Sequence, residues 1–418
     1  MIQGNALIIQ SGGPTAVINQ SLAGIMQAAQ SYPEISRALG AYHGLHGLLY
    51  ENLLDLSAED ENSWLEVANS PGAALGSARI KPKPSDLERI FAVLTAHNIK
   101  FLFYIGGNDS AEAAQLIRAA ANERNFDIRI LHVPKTIDND LMVTDHCPGY
   151  GSVAKVVSHI VAGDDLDNRS FYNSIKLNVV MGRHAGWVAA ATALAKKGHI
   201  DVAQHDELGP HLIYLPELEF SAERFIHDVQ KTYDRLSRAT IVVAEGIADQ
   251  LGGNFIDDKD EFGNPLLSSS GKLGDYLVSL IKKNINYKTD LGKLRCRADT
   301  FGYLQRSLVG MASPIDQQEA FRVGAMAVHY MMRGETDKTV CLTRISNQPY
   351  KVTTTLCDLT LVAQKTKLMP RSMINSDGNG VTDEFYQYAL PLVGHLPELR
   401  ALKTPKLTQA LGPYTRLE

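Results

Sequence analysis

The segment Ile128-Arg129-Ile130-Leu131-His132-Val133-Pro134-Lys135-Thr136-Ile137-Asp138-Asn139-Asp140 changes character in its middle. Its first half is short, apolar and rich in β-branched residues, which reads as a buried strand. Its second half crowds a lysine, a hydroxyl, an amide and two carboxylates into a few positions. A turn with an Asx-type hydrogen bond and a surface ion pair accounts for one of these aspartates, but not for the whole cluster at a strand's end. In open parallel sheets, ligands bind outside the carboxyl ends of the strands. The segment therefore predicts an α/β fold and a place within it for chemistry. One carboxylate can take a proton from a substrate hydroxyl while the other orients it or steers a metal. The neighbouring lysine can neutralise charge on a transferring phosphoryl group.

The same design recurs outward from this point. Ala6–Gln10 runs into Ser11-Gly12-Gly13-Pro14-Thr15, and Phe101–Ile105 into Gly106-Gly107-Asn108-Asp109-Ser110. Ile175–Met181 ends in Gly182-Arg183-His184, and Ile241–Ala244 in Glu245-Gly246. Leu212–Leu215 and Thr339–Ile345 are further expected strands. Helices are expected over Leu87–His97, with a capping box at Ser85 to Glu88, over Asp109–Arg124 and over Glu319–Arg333. Buried strands alternating with helices imply parallel sheets covered on both faces.

Length and composition set the outer limits. The 418 residues, 44% of them hydrophobic, exceed one compact core and suit two or three domains. With 41 basic against 46 acidic residues and a net charge of −5, there is no strongly basic face for nucleic acid. Cys147, Cys296, Cys341 and Cys357 lack metal-type spacing and read as reduced thiols. The longest apolar run, Ala185 to Ala195, falls short of the ~20 residues of a membrane span. The amino-terminal residues lack the basic start of a signal peptide. A soluble, cytoplasmic protein without membrane partners is expected. Asp249–Lys272, rich in glycine and aspartate, reads as a surface hairpin or mobile loop rather than a calcium loop. Lys365 to Glu418 reads as helices and turns packed on the outside.

Two glycine pairs, Gly12-Gly13 and Gly106-Gly107, each stand between a strand and a helix. Glycine there lets backbone N–H groups turn toward an anion, and the helix N-terminus adds partial positive charge. A tight turn asks for the same residue, so one pair alone says little. Two pairs, each after a strand, point to phosphate. Arg79, Arg183, Arg297 and Arg306 lie near glycine- or hydroxyl-bearing loops. A guanidinium suits phosphate because it donates two parallel hydrogen bonds and stays charged.

Together these residues resemble the phosphofructokinase family, and within it the pyrophosphate-dependent branch. The likeness runs from Ser11 to about Val323, with the motifs in the family's order. It implies two doubly wound, Rossmann-like, mostly parallel α/β domains with the active site in the cleft between them. Residues 1–149 with about 305–355 would form the pyrophosphate domain. Residues from about 150 to 304, with about 356–418, would form the fructose 6-phosphate domain. The resemblance makes Asp138 of Thr136-Ile137-Asp138-Asn139-Asp140 the base that deprotonates the sugar 1-hydroxyl, with Thr136 and Ile137 beside the sugar. It gives Met181-Gly182-Arg183 the sugar phosphate and the transferring group, and Glu245 the sugar. Arg297 and Arg306, with Tyr303 of the Y-x-x-R pattern, hold the 6-phosphate. Arg79 of Gly76-Ser77-Ala78-Arg79 contacts the donor, and Gly13 and Gly107 hold it through backbone N–H groups. The implied cofactor is Mg2+, at Asn108 with Asp109 and Asp140. The implied assembly is a homodimer or homotetramer, and the implied setting is glycolysis and gluconeogenesis.

Two departures from the ATP-dependent pattern favour pyrophosphate as donor. Asp109 and Lys135 stand where ATP enzymes have glycine. The aspartate puts charge and bulk where the α-phosphate of a nucleotide would pass, and the lysine grips a short donor that lacks an adenosine handle. Pro14 also replaces an aspartate of the ATP enzymes, and the arginine expected near Asn173-Ser174 from a neighbouring subunit has no match. The alternatives are an ATP-dependent relative and a non-catalytic regulatory subunit of the same fold.

Overall fold

Alternate residues of the expected strands face opposite ways, and each set finds its own core. In a computed structural model, which describes residues 2–198, 207–251, 270–400 and 407–408, Ala6, Ile8, Phe101 and Phe103 pack on one side of a sheet. Leu7, Ile9, Leu102 and Tyr104 pack on the other. This is the period of two that a strand buried on both faces demands.

The sheet is built from β1 (Gly4–Gln10), β2 (Ile35–Ala41), β3 (Leu53–Asp55), β4 (Ile99–Gly106), β5 (Arg129–Pro134), and a late hairpin of β10 (Lys338–Asn347) and β11 (Tyr350–Asp358). Its seven strands run β11-β10-β5-β4-β1-β2-β3. The central pairs β1–β2, β1–β4, β4–β5 and β5–β10 are parallel. Antiparallel strands close both edges. A second sheet contains β6 (Ser174–Val180), β7 (Leu212–Tyr214), β8 (Arg238–Ala244) and β9 (Arg295–Thr300). Its order is β7-β8-β6-β9, all parallel. The α/β class with two mostly parallel sheets is as expected.

Helices cover all four faces. On the first sheet, α1 (Ile18–Ala29) lies against α3 (Glu61–Asn69) and α11 (Pro314–Met332), while α2 (Leu45–Leu49), α4 (Leu87–Ala96) and α5 (Asn108–Glu123) cover the opposite face. On the second, α6 (Tyr150–Arg169), α7 (Trp187–Ala191) and α12 (Asp383–Val393) face α8 (Ala222–Leu236), α9 (Ile247–Gln250) and α10 (Lys272–Asn284) across the sheet. The α1–α11 crossing is close because glycines meet it from both sides. A Cβ on Gly24 would overlap the Phe321 carbonyl oxygen, and one on Gly324 would overlap that of Ser21.

Several sequence expectations need correction. The Ser85–Glu88 capping box does not form: a short 3-10 turn, Pro84–Asp86, precedes α4, and the Asp86 carboxylate accepts the Lys83 N–H at 2.8 Å. The tail is not an outer layer. α12 buries Phe385, Ala389 and Leu392 in the second core, where Met369 and Ile374 join them; Leu359, Val362 and Ala363, just ahead of this tail, complete the first. Strand Thr339–Ile345 is the middle of β10 (Lys338–Asn347), which pairs with β11 (Tyr350–Asp358). Most of Asp249–Lys272 and the end of the tail lie outside the described residues. No helix among the described residues is long and apolar enough to cross a membrane.

Candidate active site

β1 pairs in parallel with β2 on one side and β4 on the other, so the order in which strands are added to the sheet reverses there. In doubly wound sheets this switch point leaves a crevice at the strand ends. Here the crevice is a cavity of about 200 Å³. It is lined by Gly12, Gly13 and Pro14 after β1, by Gly107–Ser110 at the start of α5, and by Lys135–Asp138 and Asp140 after β5. Arg79, Met181 and Arg306 close it. The first N–H groups of a helix have no partner within it, and α5 opens onto the cavity with no side-chain cap.

The lining separates its charges. At one end, three cations gather round the Gly12–Gly13 turn. Lys135 Nζ donates to the Gly13 carbonyl at 2.7 Å. A Cβ on Gly13 would stand 2.9 Å from an Arg306 nitrogen and 3.4 Å from one of Arg79. Gly12 has φ +78°, and a Cβ there would meet Lys135 Nζ at 3.2 Å. The positive φ favours glycine, and a Cβ there would push the lysine ammonium aside. Burial pushes the Lys135 ammonium down to about 7, and Arg306 and Arg79 push the same way. Three cations gathered in this way suit an anion such as a phosphate.

At the other end stand carboxylates. Burial, then the charges of Asp140 and Glu245, push Asp138 up to about 7. Asp140 is also raised, chiefly by burial, and Thr136 opposes this by a hydrogen bond to its carboxylate. The Thr136 hydroxyl accepts the Asp138 N–H at 3.1 Å. Asn139, with φ +56°, turns the chain between the two aspartates. A carboxyl held near neutrality beside a cationic anion site is poised for proton transfer.

Most expected site residues converge here. Gly13, Arg79, Gly107, Asn108, Asp109, Lys135, Thr136, Ile137, Asp138, Asp140, Met181 and Arg306 share the cavity wall. Glu245 stands behind it, 3.4 Å from the Gly182 N–H that it accepts. Tyr303 lies outside the lining and places its ring 4.6 Å from the Arg306 guanidinium. Arg183 pairs with Asp249 at 3.4 Å. Arg297 is not brought to the cavity. It sits mid-strand in β9, opposite Lys176 and exposed, where its charge acts on Asp167 of α6.

Two supporting residues escape a reading of the sequence. Lys81 pairs with Asp109 at 2.7 Å and with Glu112 at 2.5 Å, bracing the carboxylate at the cavity mouth. Its place two residues after Arg79 in an extended segment was the available signal. Gln305 accepts the Met181 N–H at 3.3 Å and carries no motif.

Known proteins resemble this chain in sequence and in fold. The family model described as "Phosphofructokinase" matches residues 5–331. The chain is 42% identical to the pyrophosphate--fructose 6-phosphate 1-phosphotransferase of Rhodospirillum rubrum, over 99% of this chain and 100% of that one. It is 36% identical to the protein of the same name from Halomonas elongata, over 94% and 92%. Its fold superposes on the crystal structure of the pyrophosphate-dependent phosphofructokinase of Marinobacter aquaeolei with a TM-score of 0.80 and 31% identity, covering 99% of this chain and 100% of that one. Full-length likeness, shared topology and the strand-end motifs lead to one conclusion: the chain belongs to the phosphofructokinase family.

Proposed function

We propose that this protein transfers a phosphoryl group from pyrophosphate to the 1-hydroxyl of fructose 6-phosphate, reversibly, giving phosphate and fructose 1,6-bisphosphate. The observation that carries the reading is the division of charge within one small cavity: Lys135, Arg79 and Arg306 at one end, Asp138 and Asp140 at the other. Pyrophosphate sits at the cationic end, on the N–H groups of the Gly12–Gly13 turn and of the start of α5. The sugar hydroxyl reaches Asp138, which takes its proton as the oxygen attacks phosphorus. Lys135 holds the spreading negative charge together with Arg306, which the resemblance gave to the 6-phosphate and which stands instead beside the Gly12–Gly13 turn; positioning supplies most of the remaining rate.

The donor follows from charge. Asp109, braced by Lys81, sets a negative charge where a nucleotide chain would continue. Magnesium suits the oxygen groups present: Asn108 Oδ1 is buried without a hydrogen-bond partner, and its Nδ2 donates to Asp140 at 3.1 Å. Among the described residues no three His, Cys, Asp or Glu side chains cluster to hold a metal alone. Asn108 and Asp140 would therefore share the ion with pyrophosphate oxygens and water. When bound, the ion supplies charge neutralisation for the donor.

In this reading the half on the seven-stranded sheet holds pyrophosphate, and the half on the four-stranded sheet brings Met181, Gly182, Arg183 and Glu245 to the sugar. Arg297 has no part within one chain. The enzyme acts in the cytoplasm as a homodimer or homotetramer. The test is phosphorylation of fructose 6-phosphate with pyrophosphate or ATP, each with magnesium. Turnover on pyrophosphate and at most about a hundredth of it on ATP is expected; the reverse order overturns the donor assignment.

A further inference from the structure

The loop that carries both aspartates is fastened from behind by a segment some 230 residues later in the chain. The Lys367 N–H donates to the Asp140 carbonyl at 2.7 Å. The Lys367 ammonium donates to the carbonyls of Thr144 at 3.1 Å and Asp145 at 2.8 Å. One residue thus ties both ends of the turn from Asp140 to Asp145. The same residue also grips the other half of the molecule. Its carbonyl accepts the Trp187 indole N–H at 3.2 Å, and its ammonium lies 5.3 Å from the Trp187 ring centroid. Two residues on, the Met369 N–H and the Gly186 N–H both donate to Glu217 Oε1, at 3.0 and 2.8 Å. Gly186 and Trp187 stand three and four residues after Arg183, at the end of the Met181–Arg183 loop. A second fastening comes from α12. The Tyr388 hydroxyl accepts Asn139 Nδ2 at 2.7 Å and donates to the Asp145 carbonyl at 2.9 Å. The other arm of Asn139, Oδ1, accepts the Cys147 N–H at 3.0 Å. Asn139 is fully buried in a left-handed conformation, so these bonds hold a backbone that would otherwise relax.

We propose that Lys367, with Tyr388 as its second, is a positioning residue for phosphoryl transfer: it sets the Asp138–Asp140 loop against the Met181–Arg183 loop without touching substrate. The proposal rests on Asp138 being the base. A displaced base weakens an interaction that matters in the transition state, so the loss falls on kcat and not on KM. An error of about 1 Å in such placement costs on the order of 10²-fold.

The experiment measures kcat, KM for both substrates and melting temperature for full-length Lys367→Met, Lys367→Arg, Tyr388→Phe and, as a control on the base, Asp138→Asn. Lys367→Met is expected to lose at least about 10-fold in kcat, with both KM values within about twofold of the wild type. Lys367→Arg, which keeps a donor and its charge, is expected to recover to within about threefold, and Tyr388→Phe to lose about three- to tenfold. A Lys367→Met enzyme with normal kcat, or one whose loss appears in KM alone, overturns the proposal. Failure of arginine to recover any of the loss also overturns it. If Lys367→Met does not fold, Tyr388→Phe decides, and a kcat within twofold of the wild type is the negative result. An active Asp138→Asn enzyme would instead remove the base assignment and leave the fastening a matter of stability.

Discussion

Lys135 and Asp138 stand three residues apart, and the site presses their proton affinities toward each other from opposite sides. The base must be deprotonated and the ammonium protonated for the reaction to run. Asp138, raised to about 7, loses activity as pH falls through that value. Lys135, lowered to about 7, loses charge as pH rises through it. The expected profile of kcat/KM for the free enzyme is a narrow bell centred near neutrality, and a flat profile from pH 6 to 9 would contradict it. Pyrophosphate beside the lysine restores its proton, so the alkaline limb of kcat should move upward relative to that of kcat/KM. Lys135→Met is expected to raise KM for pyrophosphate by at least about 10²-fold, measured at saturating sugar, since a desolvated charge pair to the donor is lost. These two residues were legible in the sequence because strand and polar cluster are contiguous. Lys81 and Lys367 were not: each is a single lysine whose partner, Asp109 or Asp140, is distant along the chain.

Elements were legible where periodicity was strong and illegible where distant chain decides their partner. β1, β4 and β5 of the first sheet and β6 and β8 of the second read directly from their apolar runs, whereas β2, ISRALGA, has too short an apolar run to stand out. β9 did not, because its sequence, Arg295–Thr300, alternates charge with small residues and owes its place to β6. α12 read as outer tail because an exposed and a buried amphipathic helix differ only in what meets the apolar face, here α6 and α7. Phe385→Ala, at a fully buried position, should cost about 3–5 kcal/mol in urea unfolding, whereas an outer helix would lose well under 1. The α1–α11 crossing gives a sharper test. Gly→Ala in an exposed helix gains about 1 kcal/mol. At Gly24 the new methyl would meet the Phe321 carbonyl, so Gly24→Ala should instead destabilise by roughly 2 kcal/mol, read as a lower midpoint of unfolding. A stabilised variant would show that the helices do not pack as described.

At the scale of the molecule, two sheets with separate cores meet around one cavity. The division of charge inside it turns their junction into a site for an anion and a hydroxyl. Donor choice belongs to this scale, because Asp109 opens α5 while Lys135 follows β5, and both reach the same wall. Replacing both by glycine should admit ATP as donor, seen as ATP-dependent turnover rising at least about tenfold over the wild type. Unchanged rejection of ATP would place donor choice elsewhere. The cost of the arrangement is stability. Asp138 has a higher proton affinity folded than unfolded, so its ionisation opposes folding as pH rises from about 4 to about 7. Asparagine at that position removes the penalty along with the base. The most direct measurement is therefore turnover of Asp138→Asn with pyrophosphate, fructose 6-phosphate and magnesium, alongside its melting temperature at pH 8. A kcat at least about 10²-fold below the wild type with an equal or higher melting temperature is the predicted result. A kcat within a few-fold of the wild type would contradict the account.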